Sequence, residues 1–549
     1  MEQQFNPAPI TNCASVWERE LTNDCDQIFL MNGIKCGFLI VDSLPSANMK
    51  IVTPNCRSAI KEKSEVESAI VCEIEENNYV QVLNPPTIIS ALGAVPKPDG
   101  TVRVIHDASR PPGSSLNDYA VKDNFQYQTV EGILADIAPG YYLAKVDLKA
   151  AYRSVGIHPS NYDVAGLQWT FSGESTPRYF VDTRLPFGAR KSPGIFNRLT
   201  QSVCRMMHRR GFKCRAYLDD FILYEATEER CKQAFNCLLL LLRSLGLSIN
   251  WRKVVDPCTR LAFLGIVIDT VNNELSLEPR KISALIQEVL TFTKRKRATR
   301  KQLEQLAGKF SWASNVFTWG RVHCRSIFNL LSELKSPYHK ARILPIISDL
   351  QWWSFVLCNT PNLRLIWDAR PTVTVQTDAC PIAGGAFCGL DWVYYAWHVD
   401  RPELALSHIN IQELAMVVEA VKRWHVAWKN KRVYIYTDNM ATAAIVNKGT
   451  TSSPEALELL RVVSALALAN NFSIQAVYLP GDQNTLGDAI SRLHEYGQIK
   501  RFIYEIFKRF QFAMPSHYWL PYHMSHGAML FISKQIQQWQ SSYLNLTVR

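Results

Sequence analysis

Apolar and polar positions change rhythm several times along the chain. Val102-Arg103-Val104-Ile105, Tyr141 to Val146, Ala216 to Leu218 and Phe221 to Tyr224 are short runs rich in β-branched and aromatic residues, and they predict strands. Ile195 to Met207 and Cys231 to Leu245 instead carry apolar residues in helical patterns. The two kinds of element intermingle, with acidic residues at strand ends and turns, which predicts an α+β arrangement. From Pro279 the pattern turns helical, with Ile282, Leu285, Ile286, Val289 and Leu290 recurring at helical spacing. Thr299 and Gln302 make a capping box for a second helix carrying Leu303, Leu306 and Phe310. After Arg370 a further α/β unit is predicted. It has a strand through Val373 and Val375 to Asp378, a helix from Asn410 to about Trp428, a strand from Arg432 to Thr437 and a short helix around Asp488.

Size and charge refine this outline. A chain of 549 residues exceeds one ordinary core and should divide into about two to four domains. Hydrophobic residues at 47% and charged residues at 20% describe a folded chain and exclude a disordered one. The net charge of +11 suits an anionic partner such as nucleic acid without singling one out. The 14 cysteines show no CxxC spacing, which favours reduced thiols over a disulfide framework or zinc finger. The N-terminus has neither a basic start nor an apolar run, and the most apolar stretch, Leu238 to Leu242, ends at Arg243. The expectation is therefore an intracellular protein, cytoplasmic and/or nuclear, with no membrane partner.

Tyr217-Leu218-Asp219-Asp220 places two adjacent carboxylates on a tight turn between apolar strands, and Asp147 ends the strand from Tyr141. Transfer of a nucleotide to a primer 3′-OH uses two Mg²⁺ ions, one lowering the pKa of the hydroxyl and the other neutralising the triphosphate. Mg²⁺ requires oxygen ligands, and two nearby ions require closely spaced carboxylates. An Asp-Asp turn alone is equally a favoured hairpin sequence. Three further phrases accompany it: Val146-Asp147-Leu148 with Tyr152 beyond, Leu185-Pro186-Phe187-Gly188, and Ser192-Pro193 to Phe196. In order and spacing they resemble the palm motifs of reverse transcriptases.

That resemblance implies roles for other residues. Pro96 to Arg103 looks like the fingers hairpin, so Lys97 and Arg103 would grip the incoming triphosphate. Tyr152, otherwise readable as a core aromatic, matches the gate that rejects a ribose 2′-OH. Phe187, Gly188 and Lys191 match the nucleotide- and template-facing segment, and Phe263-Leu264-Gly265 resembles the primer-grip turn.

A second set of carboxylates follows: Asp378, Glu413, Asp438 and Asp488, each on a different predicted element. Converging on one cleft, they would hold two Mg²⁺ ions and activate water against a phosphodiester. Singly, each has an ordinary explanation, such as a capping box from Asn410 to Glu413. Thr377-Asp378-Ala379 with Gly384-Gly385, Asn410 to Leu414, Tyr436 to Asn439 and Asn484 to Asp488 resemble, in order, the signature blocks of ribonuclease H. The match implies a five-stranded sheet with flanking helices that hydrolyses the RNA of RNA–DNA hybrids. Many members carry a mobile His before the last Asp, whereas Tyr478 to Asn484 contains none.

The expected fold is thus a multidomain α+β and α/β protein, a right-hand polymerase followed by a ribonuclease H-like domain. Residues 1–80 form an extension of unknown role, 81–278 the fingers and palm, and 279–345 a helical thumb or connection. Residues 346–495 form the hydrolase and 496–549 a basic, aromatic tail. The implied cofactor is Mg²⁺, with Mn²⁺ as an alternative, two ions per site. The implied partners are an RNA template, a DNA primer, RNA–DNA hybrid and deoxynucleoside triphosphates. Val104-Ile105-His106-Asp107-Ala108-Ser109-Arg110-Pro111, Ser115 to Asp118, and Asp488-Ala489-Ile490-Ser491-Arg492 resemble DIRS-type retrotransposons, which pair with a separately encoded tyrosine recombinase. The alternatives are a host-adopted, catalytically silent nucleic-acid-binding protein and a pararetroviral polymerase. Lys294-Arg295-Lys296-Arg297 reads either as a nucleic-acid-binding surface or as a solvated helix end or nuclear-targeting signal.

Overall fold

The computed structural model describes residues 6–46, 49–96, 101–336, 338–495, 497–510 and 533–534. Two compact units divide the chain, residues 1–274 and 275–549. No helix of the described residues is long and apolar enough to cross a membrane.

The first unit is built around a four-stranded antiparallel sheet. Its order is Val255–Cys258, Tyr142–Asp147, Asp220–Glu225 and Cys214–Tyr217. In chain order these strands are β1 (Tyr142–Asp147), β2 (Cys214–Tyr217), β3 (Asp220–Glu225) and β4 (Val255–Cys258). Helices Ser192–Arg209 and Glu228–Ser244 cover the sheet through a large core containing Phe196, Leu199, Val203, Leu238 and Leu242. An antiparallel hairpin, Ala91–Pro96 with Val102–Asp107, carries Arg103 opposite Val95. Lys97 lies in the segment outside the described residues.

The N-terminal segment, expected only as an extension, folds into this same unit. Helices Ala14–Glu20 and Gln27–Cys36 contribute Trp17, Leu30 and Ile34 to the sheet's core. Trp17 is fully buried, and its Nε1 donates to the Leu245 carbonyl at 2.9 Å. Asp24 and Asp26 are tied to Arg198, Arg205 and Arg209. Each amphipathic helix thus buries its apolar face against a sheet that lies more than a hundred residues away in sequence.

In the second unit, helices α1 (Pro279–Thr293) and α2 (Arg300–Ala313) follow the expected pattern, and both halves of the Thr299–Gln302 capping box form. Between them the sequence reading missed a strand: β5 (Arg297–Thr299) pairs antiparallel with β6 (Lys340–Arg342). The C-terminal part is a five-stranded mixed sheet. Its strands are β7 (Thr372–Ala379), β8 (Ala383–Cys388), β9 (Asp391–Ala396), β10 (Arg432–Thr437) and β11 (Ser473–Tyr478). The spatial order is β9-β8-β7-β10-β11, antiparallel in the first two pairings and parallel in the last two. This is the five-stranded sheet with flanking helices implied by the ribonuclease H resemblance.

Helix α3 (Ile409–Trp424) ends four residues before the expected Trp428, and α4 (Pro454–Asn470) packs with it in one core. Helix α5 (Thr485–Ser491) lies against β8, where a Cβ on Gly385 would come within 2.6 Å of the Ser491 nitrogen. Helix α6 (Gln498–Phe510) begins in what was expected to be the tail, yet Phe502, Ile503 and Ile506 are fully buried against Phe387 and Trp392.

Candidate active sites

The first carboxylate set is assembled by strand register. Asp147, the last residue of β1, stands directly opposite Asp220, the first residue of β3. Tyr217 pairs with Asp220, so Leu218 and Asp219 form a two-residue hairpin loop. Leu218, expected to end the strand, instead occupies the turn at φ +52°, a conformation that costs roughly 1–2 kcal/mol for a residue with a Cβ. The Asp219 carbonyl accepts from the Leu148 amide at 3.0 Å, which ties the turn to the end of β1.

Neighbouring cations and amides hold these carboxylates. Asp147, 2% exposed, accepts from Asn250 Nδ2 at 2.7 Å and from Lys253 Nζ at 3.0 Å. Lys145 Nζ lies 2.9 Å from Asp220 Oδ1. Burial raises the Asp219 carboxyl above the ordinary range, and the negative charge of Asp147 adds to it. Burial also raises Asp220, against the opposing pull of Lys145. The three carboxylates are not gathered within 4.8 Å of one another. Lys145, Asn250 and Lys253 were not anticipated from sequence. Lys145 was legible in principle, because residues two apart on a strand share a face, here that of Asp147.

The other expected polymerase residues fall into three groups. Tyr152 stacks on Phe187 with centroids 4.9 Å apart and planes at 20°, and the Arg103 guanidinium lies 5.4 Å from the Phe187 centroid. Gly188 follows with φ +119°, and a Cβ there would meet the His106 carbonyl at 2.0 Å, so the segment must be glycine to pass. Phe263-Leu264-Gly265 forms a tight hairpin, with Phe263 paired to Ile266 and positive φ at Leu264 and Gly265, as a type I′ turn requires. Phe263 is buried, and Lys145 Nζ lies 5.8 Å from its ring centroid, connecting this turn to Asp220. Lys191, expected in the same nucleotide- and template-facing segment, has its ammonium paired with Asp42 of the N-terminal segment.

The second carboxylate set converges more tightly. Asp378 lies on β7, Glu413 on α3, and Asp438 directly after β10. Their oxygens lie within 4.8 Å of one another. Asp378 and Glu413 are each 4% exposed. Glu413 Oε1 accepts from the Ala379 amide at 3.2 Å, while Oε2 is buried without a hydrogen-bond donor. Ser491 donates to Asp378 Oδ2. Burial, then repulsion from Asp378 and Asp438, pushes the Glu413 carboxyl up to about 9. Burial, with Asp438 and Asp488 adding, pushes Asp378 to about 7 against the Ser491 hydrogen bond.

A buried oxygen without a donor, inside a cluster of mutually repelling carboxylates, fits a hard divalent cation. Asp488 does not join the cluster. Its oxygens accept from Arg492 Nε at 2.7 Å and from Arg501 Nη1 at 2.6 Å, the latter from α6. The loop that lacks a histidine passes close by, since a Cβ on Gly481 would lie 3.1 Å from Asp438 Oδ2. Among the described residues one further acidic group is similarly compact, Asp24-Cys25-Asp26, and its aspartates are engaged by arginines.

Residues 95–268 match the family "Reverse transcriptase (RNA-dependent DNA polymerase)". The chain is 22% identical over 451 residues to a retrovirus-related Pol polyprotein from transposon opus of Drosophila melanogaster, covering 78% of this chain and 42% of that protein. It is 20% identical over 401 residues to the genome polyprotein of Petunia vein clearing virus, covering 70% and 17%. It is 23% identical over 412 residues to the transposon Tf2-3 polyprotein of Schizosaccharomyces pombe, covering 73% and 28%. The chain therefore spans less than half the length of these relatives. A foamy viral protease-reverse transcriptase in complex with RNA/DNA hybrid shares the fold, with a TM-score of 0.50, 15% identity, and coverage of 88% of this chain and 65% of that one. The same protease-reverse transcriptase, as the dRH form with double-stranded DNA, gives a TM-score of 0.50 at 14% identity, covering 87% and 84%. With the palm register and the tight turn inside the matched segment, residues 95–268 carry the match to the reverse transcriptase family, and the chain as a whole is similar to retrotransposon and viral polyproteins.

Proposed function

We propose that the protein is an RNA-directed DNA polymerase that also degrades the RNA strand of its hybrid product. The observation that carries this reading is the register placing Asp147 opposite Asp220 beside the Asp219 turn, inside the reverse transcriptase segment. Asp147, Asp219 and Asp220 would hold the polymerase ions. Asp378, Glu413 and Asp438 would hold the hydrolase ions, with Asp488 joining when released from its arginines. Bound Mg²⁺, or Mn²⁺, supplies charge neutralisation and lowers the pKa of the attacking hydroxyl or water.

The chain's own residues do the rest. Lys145, Lys253 and Asn250 neutralise and orient the palm carboxylates before ions arrive. Arg103, with Lys97, receives the triphosphate of the deoxynucleotide, and the Tyr152–Phe187 stack forms the platform that excludes a 2′-OH. The Phe263-Leu264-Gly265 turn would position the DNA primer, and Phe187 and Gly188 would face the nucleotide and RNA template. Lys294, Arg295, Lys296 and Arg297 would contact nucleic-acid phosphates. In domain terms, 81–278 is fingers and palm, 279–345 a thumb or connection, and 346–495 the hydrolase, to which α6 is added.

The DIRS-type assignment rests on the phrases from Val104 to Pro111 and from Asp488 to Arg492, and a tyrosine recombinase encoded alongside would support it. A silent nucleic-acid-binding protein is the second reading, favoured by the lysines already paired with Asp147 and Asp220. Primer extension on an RNA template with Mg²⁺ separates the two. The proposed enzyme extends the primer and loses extension in the Asp219→Asn/Asp220→Asn variant. A silent protein extends nothing.

A further inference from the structure

The ribbon formed by β5 and β6 has two unlike faces. Ala298 and Ala341 are paired and buried on one side. On the other, Arg297 stands directly opposite Arg342, and Lys340 opposite Thr299. Arg297, Lys340 and Arg342 are all exposed. The turn leading into the ribbon adds exposed Lys294, Arg295 and Lys296, and the Ile343 amide donates to the Lys296 carbonyl to continue the pairing.

Like charges directly opposite on an antiparallel pair repel, at ~5 Å between Cβ atoms, and sheets ordinarily place an opposite charge there. No ion pair is formed by Lys294, Lys296, Arg297, Lys340 or Arg342 among the described residues, whereas neighbouring Arg300 is paired with Glu304. A face that repels itself and is left without carboxylates is arranged for an anion supplied from outside. Cations at successive outward positions of a strand recur about every 6.8 Å, forming a line rather than a point. A line of cations, with Thr299 the one uncharged side chain among these paired outward positions, suits a polyanion's backbone.

We infer that the β5–β6 ribbon, through Arg297, Lys340 and Arg342, is a phosphate-backbone docking surface for a nucleic-acid duplex. The inference deepens the proposed function by adding a second strand to the contact expected at Lys294–Arg297. It also explains that cluster: Lys296 and Arg297 are fixed in backbone pairing rather than presented as a free linear signal.

The test measures binding of the full chain to a mixed-sequence RNA–DNA hybrid, without Mg²⁺, across a salt series. Lys340→Gln/Arg342→Gln should lower the log–log salt slope by about 1.8 and weaken binding at ~0.1 M salt by roughly ten- to a hundredfold. The swap Lys340→Arg/Arg342→Lys should restore both, which a merely structural role would not require. Lys35→Gln/Lys232→Gln removes the same charge from lysines already paired with Glu18 and Glu228, and should leave the slope unchanged. An unchanged slope in the ribbon variant, or an equal fall in the control, would overturn the inference. Equal loss on double-stranded DNA identifies a general duplex surface, and loss confined to the hybrid identifies an A-form one; both support it. Because binding is read without catalysis, a chain that binds this way but never extends a primer would sink the proposed function alone.

Discussion

At the scale of single residues, Glu413 carries the clearest conflict between folding and function. It is buried, one oxygen has no donor, and oxygens of two other carboxylates lie within 4.8 Å. An unfolded Glu titrates near 4.3, whereas burial and repulsion push this one up to about 9. Between those values the folded state holds a proton that the unfolded state releases, so metal-free stability falls as pH rises through that window. Glu413→Gln should therefore stabilise the metal-free protein at pH ~8 by on the order of 1–3 kcal/mol and abolish hydrolysis of hybrid RNA. Denaturant melts with and without the substitution, at pH ~5 and ~8, check the sign. Equal stabilisation at both pH values would show that charge is not the cause.

Tyr152 makes a second prediction at this scale. Its ring is held flat on Phe187, so truncation should remove the wall against a 2′-OH without disturbing the carboxylates. Tyr152→Ala is expected to raise ribonucleotide incorporation relative to deoxynucleotide by roughly 10–100-fold in kcat/KM. A ratio that stays fixed while both rates fall would assign Tyr152 to the core alone.

Among elements, legibility followed sequence distance. The strands ending at Asp147 and beginning at Asp220, the α1 and α2 helices, and the Thr299 cap were readable because period and capping are local properties. The β5–β6 ribbon was not, since Arg297 and Arg342 are neighbours only after 44 intervening residues have folded. Nor was the clamp on Asp488, whose partner Arg501 lies on a helix with no chemical motif of its own. Asn250 gave no local sign that it would bind Asp147. Carboxylate identities were legible, and the side chains that hold them mostly were not.

Two elements outside the recognised motifs should be indispensable. Trp17 and Phe502 are fully buried, one in each unit. Replacing either with Ala should cost roughly 3–5 kcal/mol. Trp17→Ala should unfold the unit holding Asp147 and leave hybrid cleavage, whereas Phe502→Ala should abolish hybrid cleavage and also weaken primer extension, because α1, α2 and the β5–β6 ribbon belong to the same unit. Calorimetry with both activity assays would detect this, and loss of hybrid cleavage in Trp17→Ala would contradict independent folding.

For the whole molecule, one chain carries two acidic centres in separate compact units. A polymerase that copies RNA leaves a hybrid, and the proposed hydrolase in the same chain would remove the template at its source. In the first centre Lys253 and Lys145 pair with Asp147 and Asp220, whereas three carboxylates of the second centre are already gathered to within 4.8 Å. The measurement that bears most directly on this account gives the full chain an RNA template labelled on one strand and a DNA primer labelled on the other, with Mg²⁺. The parent should lengthen the primer and shorten the RNA. Asp219→Asn/Asp220→Asn should stop the first while leaving cleavage of a preformed hybrid. Undiminished primer extension by that variant would contradict it.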